Sequence, residues 1–411
     1  MKPLEGLKVI ELGMYVSTPG VTRLFADWGA EVIKVESLEG DAARRLGGSY
    51  LRLPMDPDCC PTFTLPNSGK KMISLDLKSP EGMAVMEKLL AQADIFVSNT
   101  RYGGLTRLGL DYESLHERYP RLICGYINGY GFEGPEKDNP GFDMTCFWAR
   151  SGILNALREP ENAPKFPPAG IGDTATSAML AAGVLAAVIK RYQTGEGTKV
   201  TTSLLGTGIW CNYSHVAAGQ ERSFHEGEEP FLTPYPYKEW RNPFYHIYKC
   251  KDGRMFFLLG GGFKKITMSL NAMGFPELAT DPRFVDHKTM TGYSDYLYDR
   301  FTERFLQEDS QYWAKLFTEL DAPFEILTSN AEVSQDPQAW ANNYLTRTEF
   351  PDGSSYILPN TPVDFSDMEK THTTHAGALG CDTREILTSL GYTPEEIQNL
   401  LDKGVALEPQ A

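Results

Sequence analysis

The chain lacks any excess of basic residues: 39 Lys and Arg stand against 54 Asp and Glu, a net charge of −15. That balance argues against non-specific binding of nucleic acid or an anionic membrane, although a few local cations can still build a positive pocket. Regularly spaced cysteines are missing too. The seven fall at 59, 60, 124, 146, 211, 250 and 381, an odd count that fits reduced thiols rather than a disulfide framework. Cys59 and Cys60 are adjacent rather than a CxxC pair, and the seven histidines form no HExxH grouping, so no metal is expected. The longest apolar run, around 178–188, carries Gly and Ala and is too short to span a bilayer. The opening Met1-Lys2-Pro3-Leu4-Glu5-Gly6 leads straight into a strand pattern without an apolar signal region, and the expected location is the cytoplasm.

Several nucleotide signatures are also absent. The turn after the first strand pattern reads Gly13-Met14-Tyr15-Val16-Ser17-Thr18-Pro19-Gly20, which is no GxGxxG and argues against NAD or FAD. Asn67-Ser68-Gly69-Lys70-Lys71 lacks the leading Gly and the Ser/Thr of a P-loop, and no GxSxG elbow occurs. Gly260-Gly261-Gly262 reads either as a backbone cradle or as a flexible turn.

What is present is strand–helix alternation. Strands are expected at 8–12, 31–36, 72–77, 94–98 and 121–126, with a helix over 18–29 and another started by Ser79 as N-cap and Pro80. Such alternation predicts an α/β fold, a Rossmann-like parallel sheet covered on both faces by helices. After about residue 222 the character changes. A Pro- and aromatic-rich connection (230–243) precedes a hairpin over 244–259 turned at Lys251-Asp252-Gly253. Helices over 264–273 and 294–320 complete a smaller α+β domain, assigned to 223–325, before a mixed tail over 326–411.

One segment carries the chemistry. Gly170-Ile171-Gly172-Asp173-Thr174 opens a helix of small residues, Ser177 to Ala187. A carboxylate there meets unpaired N–H groups and the positive helix end, which predicts that it stays ionised. The flanking glycines leave room for another molecule to approach. Asp173 is therefore either a simple N-cap or a nucleophilic carboxylate.

Strings along the chain resemble the family III CoA-transferases. They include Leu4-Glu5-Gly6-Leu7-Lys8-Val9-Ile10-Glu11, Trp28-Gly29-Ala30-Glu31-Val32-Ile33-Lys34-Val35-Glu36 and Ser74-Leu75-Asp76-Leu77-Lys78-Ser79-Pro80-Glu81-Gly82. Leu105-Thr106-Arg107-Leu108-Gly109, Gly129-Tyr130-Gly131, Pro140-Gly141-Phe142-Asp143 and Gly172-Asp173 continue the match to near residue 400. Phe147-Trp148-Ala149-Arg150 and Gln338-Ala339-Trp340-Ala341-Asn342 are similar to the branch acting on 2-hydroxy acids such as 2-hydroxyisocaproate and aryllactates in amino-acid fermentation.

The resemblance implies an acyl-CoA:carboxylate transferase with Asp173 as nucleophile, passing through an aspartyl mixed anhydride and an aspartyl-CoA thioester. CoA would be a substrate, with no permanently bound cofactor. Its contacts would fall at Val16, Ser17, Leu75, Lys78, Asn99, Thr100, Arg107 and Leu108. Taken singly, Lys78 and Arg107 also read as ordinary surface cations. Ser37 stands where a relative uses an arginine, for which Arg44 or Arg45 could substitute; Asp382 reads as a helix cap. Phe142 and Asp143 are assigned to the substrate pocket, Phe142 lining it or packing in the core. Arg150 either meets substrate or forms a structural ion pair. The family further implies an interlocked homodimer whose C-terminal tail rejoins the large domain. A racemase of the same fold is the rival enzyme, but it would need a histidine where Phe142 stands, and phenylalanine carries no proton. A silent CoA-ester binding protein is the non-enzymatic rival.

Overall fold

A computed structural model describes residues 1–46, 56–157, 162–221, 242–259, 263–284 and 292–409. Two compact units make up the chain, the first formed by Met1–Ala156, Phe166–Pro230 and Pro337–Ala411, the second by Leu157–Lys165 and Phe231–Asp336.

The first unit is built on β1 (Lys8–Leu12), β2 (Glu31–Glu36), β3 (Lys71–Leu75), β4 (Ile95–Ser98), β5 (Ile123–Asn128) and β6 (Lys199–Ser203). They pair in parallel in the order 3-2-1-4-5-6, and β12 (Ala406–Leu407) adds antiparallel to the β3 edge. Alternation along each strand splits the core between the two faces. Val9, Val32, Ile95, Val97 and Ile123 face one way, toward Val21 and Phe25 of α1 (Ser17–Asp27). Ile10, Val35, Ile73, Phe96 and Tyr126 face the other, toward α2 (Pro80–Leu90) and α3 (Tyr102–Leu108). Ser79 caps α2 as expected, accepting from Gly82 N–H at 3.0 Å. The longest helix is α4 (Ile171–Thr194), which lies with α1 on the first face through Leu180, Ala181 and Val184. Its 24 residues exceed the apolar stretch read from sequence, and by length and composition alone it could cross a bilayer. Here its buried stripe is part of the sheet's core.

In the second unit β7 (Tyr245–Lys249), β8 (Met255–Leu259) and β9 (Phe324–Ile326) form an antiparallel sheet. Its core is aromatic: Tyr248 and Phe256 pack with Phe301, Phe305, Trp313 and Phe317. The single helix expected over 294–320 is two, Ser294–Phe305 and Ser310–Glu319, because the chain turns at 306–309 and Asp309 is extended at φ −73°, ψ 156°. Asp252 reaches across this break and accepts from Ser310 N–H and Oγ. Most of the 230–243 connection and Gly260–Gly262 lie outside the described residues.

In the first unit the tail supplies the hairpin β10 (Leu345–Glu349) and β11 (Ser355–Pro359) before reaching β12. Asp382 does not cap the helix that follows it through its side chain. Its carboxylate instead accepts from Met72 N–H of β3 at 2.7 Å, because the sheet edge offers a closer donor than the helix start.

Candidate active site

The sheet order reverses between β1 and β4, so the loops leaving these strands diverge and open a crevice at their carboxyl ends. A cavity of about 400 Å³ occupies this point, lined by Met14, Tyr15 and Ser17 after β1, by Asn99 and Thr100 after β4, and by Asn128, Phe142 and Asp173. Asn99 fastens the two loops together. Its Oδ1 accepts from Met14 N–H at 3.0 Å, and its Nδ2 donates to Met14 O at 2.8 Å and Ser17 Oγ at 3.3 Å. Tyr15 is left-handed at φ 64°, a conformation held by its N–H donating to Asp41 Oδ1 at 3.0 Å.

Beneath the first loop lies a fully buried charge network that sequence reasoning missed. Glu11 of β1 and Lys34 of β2 are register partners and meet at 2.7 Å. Lys34 also donates to Gly13 O and Asp41 Oδ2. Lys70 donates to the other oxygen of Glu11 at 2.7 Å, to Pro19 O and to Asn67 Oδ1. Both lysine nitrogens thus have three acceptors, and together they grip the loop at Gly13 and the first turn of α1 at Pro19. Burial alone would raise the Glu11 carboxyl, but Lys34 and Lys70 outweigh it and hold it at about 2. A charge at an inward strand position opposite a charge of the other sign was the signal available.

Asp173 enters the cavity from the first turn of α4, whose N-cap Gly170 is left-handed at φ 85°. Gly172 has to be glycine for closeness: a Cβ there would collide with the Phe147 ring and with Asp143 Oδ1. Asp143 opens a π-helical segment, Asp143–Arg150, and is only 6% exposed. Its Oδ2 accepts from Gly170 N–H at 2.9 Å, while Oδ1 is buried without a hydrogen-bond partner. The expectation of a readily ionised Asp173 does not hold. Burial first, then the charge of Asp143, push its carboxyl up to about 7. Among the described residues its side chain accepts no hydrogen bond that would lower it again.

The sequence-chosen residues divide between two cavities. Ser17, Asn99 and Thr100 line the inner one with Asp173. Leu75, Lys78, Thr100, Arg107 and Leu108 line an outer cavity of about 720 Å³, and Thr100 is common to both. Among the described residues Lys78 and Arg107 form no ion pair, which leaves two cations free for an anionic ligand. Val16 lines neither cavity; it is the N-cap residue of α1. Ser37 lines the outer cavity, but Arg44 is buried against Glu36, Asp58 and the Phe63 ring and is not free to replace an arginine there. Arg45 donates to Glu39 O beside the cavity.

Phe142 is 55% exposed, lines the inner cavity and meets Tyr15 edge to face at 5.7 Å. Asp143 is buried behind it rather than lining the cavity, because its carboxylate is drawn to Gly170 N–H. Arg150 does not line the cavity either; it pairs with Glu136 at 3.1 Å on the surface. Tyr15, Asn128 and Asn139, which do line it, were not singled out from sequence, although loops flanking a reversal of strand order are where ligands gather.

A carboxylate of raised basicity, set in a crevice that runs on to unpaired cations, is suited to covalent acyl transfer from a phosphate-bearing carrier. Residues 4–383 match the model of CoA-transferase family III, and the chain belongs to that family. It is 37% identical to the (R)-2-hydroxy-4-methylpentanoate CoA-transferase of Clostridioides difficile, over 98% of this chain and 99% of that one. It is 35% identical to the cinnamoyl-CoA:phenyllactate CoA-transferase of Clostridium sporogenes, over 96% and 95%. A CAIB/BAIF family protein from Brucella suis superposes with a TM-score of 0.79 at 27% identity, covering 95% of this chain and 99% of that one. The protein is an enzyme that moves CoA between an acyl-CoA and a carboxylic acid, with CoA as substrate rather than resident cofactor.

Proposed function

We propose that the acid exchanged is a 2-hydroxy acid, aliphatic or aryl, and that Asp173 is the nucleophile. An Asp173 oxygen attacks the thioester carbonyl of the donor; the C–S bond breaks, leaving an acyl-aspartyl anhydride and CoA thiolate. The thiolate then attacks Cγ of residue 173, releasing the donor acid and forming an aspartyl-CoA thioester. The acceptor carboxylate attacks that thioester carbonyl to give a second anhydride and thiolate. Thiolate attack on the acceptor's carbonyl yields the new acyl-CoA and frees Asp173. Charge passes between carboxylate and thiolate at each step, so no proton transfer is required.

The observation that carries this reading is an Asp173 carboxylate of raised basicity opening into the inner cavity. The relatives named for 4-methyl-2-hydroxypentanoate and phenyllactate support the acid class. Tyr15 and Phe142 offer an apolar wall for its side chain. Ser17, Asn99 and Thr100 would hold the pantetheine end of CoA, and Leu75, Lys78, Arg107 and Leu108 its nucleotide end, with Val16 acting through the turn. In this reading 1–222 and 326–411 form one CoA-binding domain with 223–325 inserted, and the enzyme is a cytoplasmic, interlocked homodimer. Tyr192 and Trp210, 77% and 69% exposed, are apolar surface such a partner would cover.

The test is intact-protein and peptide mass spectrometry after incubation with cinnamoyl-CoA or a 2-hydroxyacyl-CoA without acceptor. A CoA adduct on the peptide holding Asp173 is expected, and Asp173→Asn should lower transfer by roughly three orders of magnitude or more. No adduct, or one on another residue, overturns the assignment.

A further inference from the structure

Asp143 is a charge with an unfinished environment. One oxygen is committed to Gly170 N–H; the other is buried without a partner, pressed against the Gly172 backbone one residue before Asp173. Leaving a buried carboxylate oxygen unsatisfied is costly, so its retention beside a second carboxylate calls for a role.

We propose that Asp143 is a positioning residue for Asp173, its fixed buried charge repelling the neighbouring carboxylate so that conversion of Asp173 to a neutral acyl derivative is favoured. The inference rests on Asp173 being the nucleophile. When Asp173 attacks a thioester, a C–O bond forms, the C–S bond breaks, and the negative charge leaves on the CoA sulfur. Residue 173 becomes neutral while Asp143 keeps its charge, so the repulsion between them disappears in both the anhydride and the aspartyl-CoA thioester. The same repulsion makes the free carboxylate a stronger base and a better nucleophile.

Other charged groups do not take this place. Around the cavity, Tyr15 stands on the first loop, Arg101 and Tyr102 follow β4, and Lys137 and Asp138 lie on the opposite rim. On the elements packed against α4, Arg23 of α1 pairs with Asp27, and Lys199 of β6 with Glu113. Arg191 of α4 itself pairs with Asp94, and Arg150 of the π-helical segment with Glu136. Lys190 and Tyr192 at the far end of α4, Cys124 and Tyr126 on β5, Cys146 beside Asp143 and Cys211 on helix Leu204–Cys211 complete the titratable set on these elements. Asp143 is the charge that bears on Asp173.

The experiment is the pH profile of kcat/KM for acyl-CoA in the parent enzyme, Asp143→Asn and Asp143→Glu. Asparagine keeps an acceptor for Gly170 N–H and removes only the charge. The acid limb, near pH 7 in the parent, is expected to move down by about one pH unit or more in Asp143→Asn, with a several-fold lower plateau above pH 8. Asp143→Glu should return the limb toward its parental position. A folded Asp143→Asn with an unmoved limb overturns the proposal, even while the parent still gains its CoA adduct at Asp173. If Asp143→Asn does not fold, Asp143→Ser, a smaller neutral acceptor, carries the same test. Failure of both neutral variants to fold while Asp143→Glu folds overturns the proposal in favour of a purely structural role. A parent that never gains the adduct removes the nucleophile assignment itself, a result distinct from all of these.

Discussion

Asp173 works against the stability of its own fold. Its carboxyl, ordinarily near 3.8, is raised to about 7 by burial and by Asp143. Between those two pH values the folded chain holds a proton that the unfolded chain has released, so stability falls as pH rises from about 4 to 7 and stays reduced above. Asp173→Asn should therefore raise Tm at pH 8, with the gain shrinking through pH 6 and vanishing by pH 4 in calorimetric scans. A gain independent of pH would refute the charge argument. Asp173 was legible in sequence as a candidate nucleophile because glycines and small residues surround it. Its acidity was not, since both the burial that chiefly raises it and the contact of Asp143, thirty residues earlier, with Gly172 arise only on folding.

At the level of elements, two close approaches organise the surroundings of Asp173. Gly20 lets α1 meet α4, where Ser177 Oγ donates to Ser17 O at 2.6 Å, and Gly172 admits Asp143 and Phe147 to the first turn of α4. Gly172→Ala should force these side chains back, destabilising by about 1–3 kcal/mol. Transfer should fall by at least about tenfold while CoA binding in the outer cavity persists, as read by kinetics beside a binding titration. Unchanged turnover would show that the contact is not needed. Strands β1 to β5 could be read from the sequence because apolar alternation and helix caps agree there. Strand β6 is half exposed and β12 has only two residues, so neither has enough pattern to stand out. The divided helix after 294 misled because apolar spacing continues across the turn at 306–309.

Over the whole molecule, the reversal of strand order places the crevice that holds Asp173, and the returning tail completes the sheet edge beside the outer cavity. The alternation of elements foretold the parallel sheet; the return of the tail followed only from family resemblance, since β12 has two residues and its partner β3 lies far earlier in the chain. Exposed apolar side chains on α4 and helix Leu204–Cys211, among them Ile189 and Tyr192 on the one and Trp210 on the other, leave a surface that a second chain would bury. Sedimentation equilibrium at micromolar concentration should give twice the mass of one chain. A single-chain mass would exclude the homodimer.

The pair of lysines sharing Glu11 has a consequence for how this protein varies among its kin. Each of Lys34 and Lys70 has three acceptors around its nitrogen, and losing Glu11 leaves two buried lysines without the carboxylate they share. Position 11 is therefore not free to drift alone, and natural homologues that replace its acid should replace the lysines at 34 and 70 with it.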